Sequence, residues 1–307
     1  MPLKESRPRQ DGHLIIGTEV RHVYSECVGR EFRLTVGLPH PKDRKSGLPV
    51  IYGLDGSAYS GLLIDCTRAL SPDPVPSAII VGIDYPFEMD RPFRMQDYTP
   101  TSNPKSDEDF SIIHSLIDGS KVESVPSGGA PAFLRFIQDE LKLFIEAEYG
   151  GDPANATFTG HSLGGLFGAY VLLTETAAFR RYNLVSPSLW WNDQVILKRE
   201  VAFAAASKLL NAKVFLSCGG LESEAAQAAE DAKFIESMPK ETGAALRDVL
   251  AKNRHLMLEL VVPFGEQLTA RNYEGLELTT HVFENETHGS VYAPALNRGL
   301  RTLFAAY

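Results

Sequence analysis

From Leu48 onward, the sequence alternates between short segments rich in β-branched residues and longer segments with helical periodicity. Strand-like segments lie at 13–26, 31–38, 48–54, 77–85, 154–159, 182–185, 212–218 and 276–284, and the clearest helical patterns are at 131–149 and 291–306. The first two strands follow each other without a helix, which favours an antiparallel hairpin. Strands that alternate with helices form parallel sheets with both faces covered. The sequence therefore predicts an α/β fold with a mostly parallel, doubly wound sheet and an antiparallel N-terminal hairpin.

Two long stretches interrupt this alternation. Residues 85–127 are polar and rich in Pro, Asp and Ser, and we expect a long loop there, which in a compact domain is usually functional or disordered. Residues 221–275 are rich in Ala and Glu, and their largely helical pattern predicts a helical excursion over one end of the sheet. No internal repeat or low-complexity tract is visible. The sequence predicts a single domain over residues 1–307.

Charge and composition limit the partners. The chain carries 30 Lys and Arg against 39 Asp and Glu, a net charge of −9, which disfavours nucleic acid as a partner. The apolar runs are far shorter than the roughly 20 residues that a bilayer requires, so no membrane partner is expected. Cys27, Cys66 and Cys218 fit neither a disulfide framework nor a zinc pattern, which favours reduced thiols. With an N-terminus that lacks the apolar stretch of a secretory signal, the sequence predicts a cytoplasmic protein.

The strongest local motif is Gly160-His161-Ser162-Leu163-Gly164, a G-x-S-x-G pattern between a short predicted strand and a helix. A serine on so sharp a turn brings its flanking residues close together, so glycine is expected at both 160 and 164 because a Cβ would clash. The first amides of the new helix point at the reaction centre. The motif predicts Ser162 as a nucleophile, and the alternative is a tight turn without chemistry.

A serine hydroxyl needs an imidazole base, which an acid usually orients. In sites of this type the chain order is serine, acid, histidine. His288 lies in the loop between the last predicted strand and the terminal helix and is the candidate base; the alternative is a surface histidine. Glu222 is the first acid after the strand at 212–218 and is the candidate acid, unless it only complements the dipole of the next helix. Glu224 is the alternative acid, with Asp231 further behind.

The negative charge that develops on a substrate carbonyl oxygen must meet two backbone amides. One is expected from Leu163, directly after the nucleophile. The other is expected from the loop after the third strand, where Gly56 allows a turn that presents the amide of Ser57, although Asp55-Gly56 can also be simply a turn. The chemistry needs no cofactor, and without an H-E-x-x-H pattern no metal is expected.

The sequence resembles the putative-esterase family of α/β-hydrolases, in particular its branch of ferric-siderophore (enterobactin and salmochelin) esterases. The resemblance runs over most of the chain and implies the α/β-hydrolase fold, with Ser162 as nucleophile, His288 as base and Glu222 as acid. It rests on seven blocks in order: Leu54-Asp55-Gly56, Arg94 with Asp97-Tyr98-Thr99-Pro100, Gly128-Gly129-Ala130, Gly160-His161-Ser162-Leu163-Gly164-Gly165, Ser186-Pro187-Ser188-Leu189-Trp190-Trp191, Gly219-Gly220-Leu221-Glu222 and His288-Gly289-Ser290.

The resemblance also draws attention to possible substrate contacts. Arg94 and Tyr98 in the predicted loop, and Trp190 after the sixth strand, would hold an anionic or aromatic substrate by charge and stacking. In the alternative interpretation, Arg94 pairs with Asp97 and only fixes the loop, and Trp190 is a core residue.

The sequence therefore predicts a serine esterase that hydrolyses carboxylic esters through an acyl-enzyme, with a small siderophore-like or aromatic ester as its partner. Two alternatives stay open. An acyltransferase of the same fold would reveal itself by product analysis with an added alcohol. A non-catalytic binding protein of this fold would not react with a fluorophosphonate probe.

Overall fold

The computed structural model describes residues 15–86, 90–118, 126–250 and 256–305. Within these ranges, eight strands form one sheet in the order β1-β2-β4-β3-β5-β6-β7-β8. The strands are β1 (Thr18–Ser25), β2 (Arg30–Gly37), β3 (Leu48–Gly53), β4 (Ile79–Asp84), β5 (Gly151–His161), β6 (Arg181–Val185), β7 (Leu209–Gly219) and β8 (Glu274–Phe283). All eight predicted strands are present, although residues 13 and 14 of the first lie outside the described residues.

The strand directions follow from the connections. β1 and β2 form the predicted antiparallel hairpin, and β2 is also antiparallel to β4. The remaining neighbours, from β4 through β3, β5, β6 and β7 to β8, are parallel. The predicted fold class, a mostly parallel sheet with an N-terminal hairpin, is confirmed.

Helices cover both faces of the sheet because its central strands are apolar on both sides. In β3, Val50 and Tyr52 belong to one buried cluster, whereas Ile51 belongs to a second cluster. Burying one such large side chain contributes about 1.5–3 kcal/mol. The helices are α1 (Gly56–Ala69), α2 (Asp90–Tyr98), α3 (Pro104–Asp118), α4 (Ala130–Arg135), α5 (Lys142–Tyr149), α6 (Leu163–Leu172), α7 (Trp191–Ala206), α8 (Glu224–Ser237), α9 (Lys240–Leu250), α10 (Met257–Arg271) and α11 (Tyr292–Phe304).

The two stretches that interrupt the alternation are both helical where the structure describes them. Residues 85–127, expected as a loop, contain α2 and α3. The expectation was wrong because α2 buries Met95 and Tyr98 while its charged Arg94 and Asp97 form ion pairs with other elements. Residues 221–275 contain α8, α9 and α10, as their pattern predicts, and α9 packs against α3.

The predicted helix at 131–149 is present with a change of geometry in its middle. It begins as α4, continues as a π-helical segment over Phe136–Leu141, and ends as α5. In the described part of the chain, no helix is long and apolar enough to cross a membrane.

Candidate active site

The candidate site lies at one edge of the sheet, where the carboxyl ends of five parallel strands meet. In α/β sheets of this kind, ligands bind outside the carboxyl ends of the strands. Each of these strands is followed by one polar residue of the site. These residues are Asp55 after β3, Ser162 after β5, Ser186 after β6, Glu222 after β7 and His288 after β8.

Ser162 is the single residue between a strand and a helix. β5 ends at His161 and α6 begins at Leu163, and Ser162 has φ 60° and ψ −119°. Residues other than glycine rarely adopt a positive φ, and backbone strain of this kind is concentrated at functional sites. The Ser162 amide donates to the Val185 carbonyl at 3.0 Å, which ties the turn to β6.

The glycines around this turn differ in how much space a Cβ would have. A Cβ at Gly160 would lie 2.5 Å from the carbonyl oxygen of Gly164, so this glycine is required as predicted. A Cβ at Gly164 would meet nothing closer than 3.6 Å, so the clash expected there was wrong. The crowded position is instead Gly165, where a Cβ would lie 2.9 Å from Pro187 Cα.

Glu222 and His288 are joined directly. The Nδ1 of His288 lies 2.8 Å from Glu222 Oε2, and the Glu222 side chain is fully buried. The other oxygen, Oε1, accepts hydrogen bonds from the Ser186 hydroxyl at 2.6 Å and the Gly219 amide at 2.7 Å. An ionised carboxylate only accepts hydrogen bonds, so it places the proton of a neutral imidazole on Nδ1 and leaves Nε2 to take a proton.

The alternative acid, Glu224, does not take this position. It is the first residue of α8, and its amide donates to Glu259 Oε1 at 2.8 Å. Asp231 lies further along the same helix. Glu222 is the carboxylate that the structure brings to His288.

His288 lies beside the Ser162 turn, although no hydrogen bond joins these two side chains in the described structure. The ring of His288 packs on the ring of His161, the neighbour of Ser162, with 4.4 Å between centroids. The Ser162 Oγ lies 3.4 Å from the Ser188 Oγ. Catalytic hydrogen bonds are often long without a ligand and shorten when substrate binds, so the pairing of Ser162 with His288 stays a prediction.

The imidazole of His161 is kept neutral. Burial, together with the nearby His288 and Arg94, lowers the pKa of His161 well below its ordinary value. Its Nδ1 lies 3.5 Å from the Tyr59 hydroxyl. His161 therefore gives His288 a flat packing surface without placing a second positive charge beside it.

Of the two amides predicted for an oxyanion, one is available and one is not. The Leu163 amide begins α6 and has no acceptor among the described residues. The Ser57 amide donates to the Asp84 carboxylate, so the prediction for Ser57 was wrong for this structure. The reason is that α1 begins at Gly56 without a side-chain cap from Asp55, and Asp84 supplies the missing acceptor. Burial raises the pKa of Asp84.

Asp55 does not cap α1 because Arg94 engages its carboxylate. The Arg94 Nε lies 2.5 Å from Asp55 Oδ1, and its terminal nitrogen lies 2.9 Å from Oδ2. Asp55 has φ 57°, and a bidentate pair of this kind fixes both partners. Arg94 thus holds the turn after β3, and its predicted contact with a substrate stays a prediction. The alternative partner, Asp97, pairs with Arg30 at 3.1 Å.

The two aromatic residues predicted to bind substrate differ in exposure. Tyr98 is fully buried, and its hydroxyl accepts from the Asp55 amide at 3.4 Å, so the prediction that it contacts substrate was wrong. It failed because α2 turns this face inward. Trp190 is partly buried and packs near Trp191, and its contact with a substrate stays a prediction.

Replacing Arg94 tests whether its ion pair matters for the site. We expect Arg94→Met to lower the free energy of unfolding by about 2–3 kcal/mol, because the mostly buried Asp55 carboxylate loses its partner. We also expect kcat for an ester to fall about tenfold, because the turn after β3 loses its fixed position. Thermal denaturation and initial rates measure the two effects.

The matched control is Arg271→Met. Arg271 also holds a buried carboxylate with two bonds, to Glu200 at 2.9 and 3.0 Å, and contacts no site residue described above. Both variants should lose stability, but only Arg94→Met should lose kcat. An equal loss of kcat in both variants would mean that general destabilisation explains the effect.

Three contributors to the site were given no role in the sequence analysis: Ser186, Asp84 and the pairing of Asp55 with Arg94. Ser186 and Asp84 lie at the carboxyl ends of β6 and β4, and that position was the available signal. Among the described residues, no group of three or more His, Cys, Asp or Glu side chains is placed to hold a metal ion.

Comparisons with known proteins find sequences and structures that are described as esterases. The family model described as "Putative esterase" matches residues 25–257, more than half of the chain. The ferri-bacillibactin esterase BesA of Bacillus subtilis is 38% identical over 218 residues, which cover 68% of this chain and 72% of that protein. The siderophore triacetylfusarinine C esterase of Aspergillus fumigatus is 29% identical over 289 residues, covering 90% of this chain and 89% of that protein. The crystal structure of the BES protein from Bacillus cereus superposes with a TM-score of 0.72 at 28% identity, covering 96% and 99% of the two chains.

Proposed function

This chain belongs to the putative esterase family and hydrolyses ester bonds, and we propose that it does so through an acyl-enzyme formed on Ser162. One observation carries the proposal. The fully buried Glu222 holds Nδ1 of His288 at 2.8 Å, beside a serine at φ 60° between β5 and α6. A serine, an acid and a histidine in this order along the chain form the arrangement that activates a weak nucleophile.

In the first half of the reaction, Nε2 of His288 takes the Ser162 proton while Oγ bonds to the carbonyl carbon of the ester. The carbonyl electron pair moves to oxygen, and the Leu163 amide stabilises that oxyanion. The carbon–oxygen bond to the alcohol then breaks, and the alcohol oxygen takes the proton from His288. Glu222 keeps the imidazole in its tautomer and stabilises its charged form.

In the second half, water replaces the alcohol. The oxygen of water attacks the acyl carbon while His288 takes one proton from that water. The bond between the acyl carbon and Ser162 Oγ then breaks, and His288 returns the proton to the serine oxygen. The products are an alcohol and a carboxylic acid. Besides the ester and water, these steps use the side chains of Ser162, His288 and Glu222 and the amide of Leu163.

For the substrate class, we propose a siderophore ester. The support is that two relatives with long matches are named for such substrates, ferri-bacillibactin and triacetylfusarinine C. Because α8 begins two residues after Glu222, we propose that α8 takes part in selecting the substrate. We propose that residues 1–307 act as one functional domain, as the sequence predicts.

Hydrolysis of a panel of esters tests the substrate class. The panel contains a catecholate trilactone siderophore, a hydroxamate siderophore ester, each with and without iron, and p-nitrophenyl esters of increasing acyl length. We expect kcat/KM for at least one siderophore ester to exceed that for every p-nitrophenyl ester, with opened products identified by mass spectrometry. Cleavage of the p-nitrophenyl esters alone would contradict the substrate class and leave the esterase activity standing.

A further inference from the structure

The Glu222 carboxylate has a partner that the three-residue mechanism does not use. Ser186 is fully buried at the end of β6, and its hydroxyl donates to Glu222 Oε1 at 2.6 Å. The Gly219 amide donates to the same oxygen at 2.7 Å. Because the acid is also buried, water cannot replace a lost donor there, and each hydrogen bond to a buried charged group matters more than one at the surface.

The Ser186 backbone is held in an unusual conformation. Its φ is 41°, and its amide donates to the Ser217 carbonyl of the adjacent β7 at 2.7 Å. A positive φ at a residue other than glycine persists only where the surrounding structure enforces it. The surrounding structure therefore holds Ser186 in a strained backbone conformation in which its hydroxyl points at Glu222.

The turn that begins at Ser186 also contacts the nucleophile. The Ser188 amide donates to the Ser162 carbonyl at 3.1 Å, and the Ser188 Oγ lies 3.4 Å from the Ser162 Oγ. Pro187 packs so closely on α6 that a Cβ at Gly165 would clash with it. One short turn therefore touches both the serine and the acid of the candidate site.

We propose that Ser186 is a positioning residue that holds Glu222 where its second oxygen accepts the Nδ1 proton of His288. Together with Gly219, it fixes the acid to the turn that also contacts Ser162. The inference rests on the proposed function, because it concerns the acid of that mechanism. Ser186 is fully buried and reaches the reaction only through Glu222.

The test compares two substitutions at this position. Ser186→Ala removes the hydroxyl and keeps the Cβ, whereas Ser186→Gly removes the hydroxyl and accepts the positive φ without strain. We expect both to lower kcat about tenfold, as for loss of one hydrogen bond to a charged group, with KM nearly unchanged. We also expect the downfield proton resonance of His288 Nδ1–H to shift or broaden in both variants.

Ser217→Ala is the matched control, because Ser217 is equally buried one strand away and its Oγ has no hydrogen-bond partner in the described structure. It should leave kcat and the proton resonance as in the wild type. Wild-type kcat in Ser186→Gly would overturn the inference, since the hydroxyl is absent there. So would an equal loss in Ser217→Ala, which would indicate a packing effect.

Ser162→Ala, assayed in parallel, separates this inference from the proposed function. If Ser162→Ala is inactive and both Ser186 variants are fully active, only the role of Ser186 is contradicted. If Ser162→Ala keeps its activity, the proposed function itself is contradicted.

Discussion

Ser162→Ala is expected to lower the turnover of a p-nitrophenyl acyl ester by a factor on the order of 10⁵, because no other group would form the acyl-enzyme. Folding should be unaffected. The hydroxyl makes one long contact of 3.4 Å with Ser188, so its removal costs little stability. Initial rates and thermal denaturation of the same preparation measure both quantities.

Ser207→Ala serves as the control for this substitution. Ser207 follows α7, and among the residues that the structure describes its hydroxyl bonds only to the backbone of Leu209. It should retain wild-type turnover. A Ser162→Ala preparation that retains a tenth or more of the wild-type rate would show that the nucleophile lies elsewhere.

Glu222→Gln is expected to have the second largest effect, a decrease in kcat on the order of 10³–10⁴-fold. The substitution keeps the size of the side chain, and its carbonyl oxygen can still accept from Ser186 and Gly219. Its amide nitrogen would then face His288 Nδ1 as a donor. That arrangement favours the imidazole tautomer with the proton on Nε2, which cannot take the proton of Ser162.

Glu224→Gln is the matched control. Glu224 was the alternative acid in the sequence analysis, and its substitution removes the same charge two residues away from Glu222. We expect its kcat to stay within about twofold of the wild type, since a substitution outside the site has small effects. If the two variants exchange these outcomes, Glu224 is the acid. If neither changes kcat, the mechanism works without an acid.

The sequence predicted those parts of the molecule that depend on local pattern and chain order. The strands were visible because their β-branched residues are continuous, as in β3 and β4, which are buried on both faces. The candidate residues Ser162, Glu222 and His288 were visible because each lies within a few residues of the end of a strand. Chain order was sufficient to choose Glu222 ahead of Glu224, and the structure places Glu222 on His288.

The features that the sequence did not predict depend on contacts between distant residues. The helix α2 looked like a polar loop because Arg94 and Asp97 are charged, yet each forms an ion pair with a residue from another element. The Ser57 amide looked free because its acceptor, Asp84, lies 27 residues away on β4. Such pairings leave no periodic signal in a single sequence, since they match individual donors with individual acceptors.

The most direct test of the acyl-enzyme mechanism is to locate the serine that a fluorophosphonate modifies. Wild-type protein is treated with the probe and digested, and the modified peptide is sequenced by tandem mass spectrometry, with Ser162→Ala and Glu222→Gln treated alongside. We predict one adduct, on Ser162, which forms more slowly in Glu222→Gln and does not form in Ser162→Ala. An adduct on another residue, or hydrolysis of esters by wild-type protein that the probe neither labels nor inhibits, would contradict the mechanism.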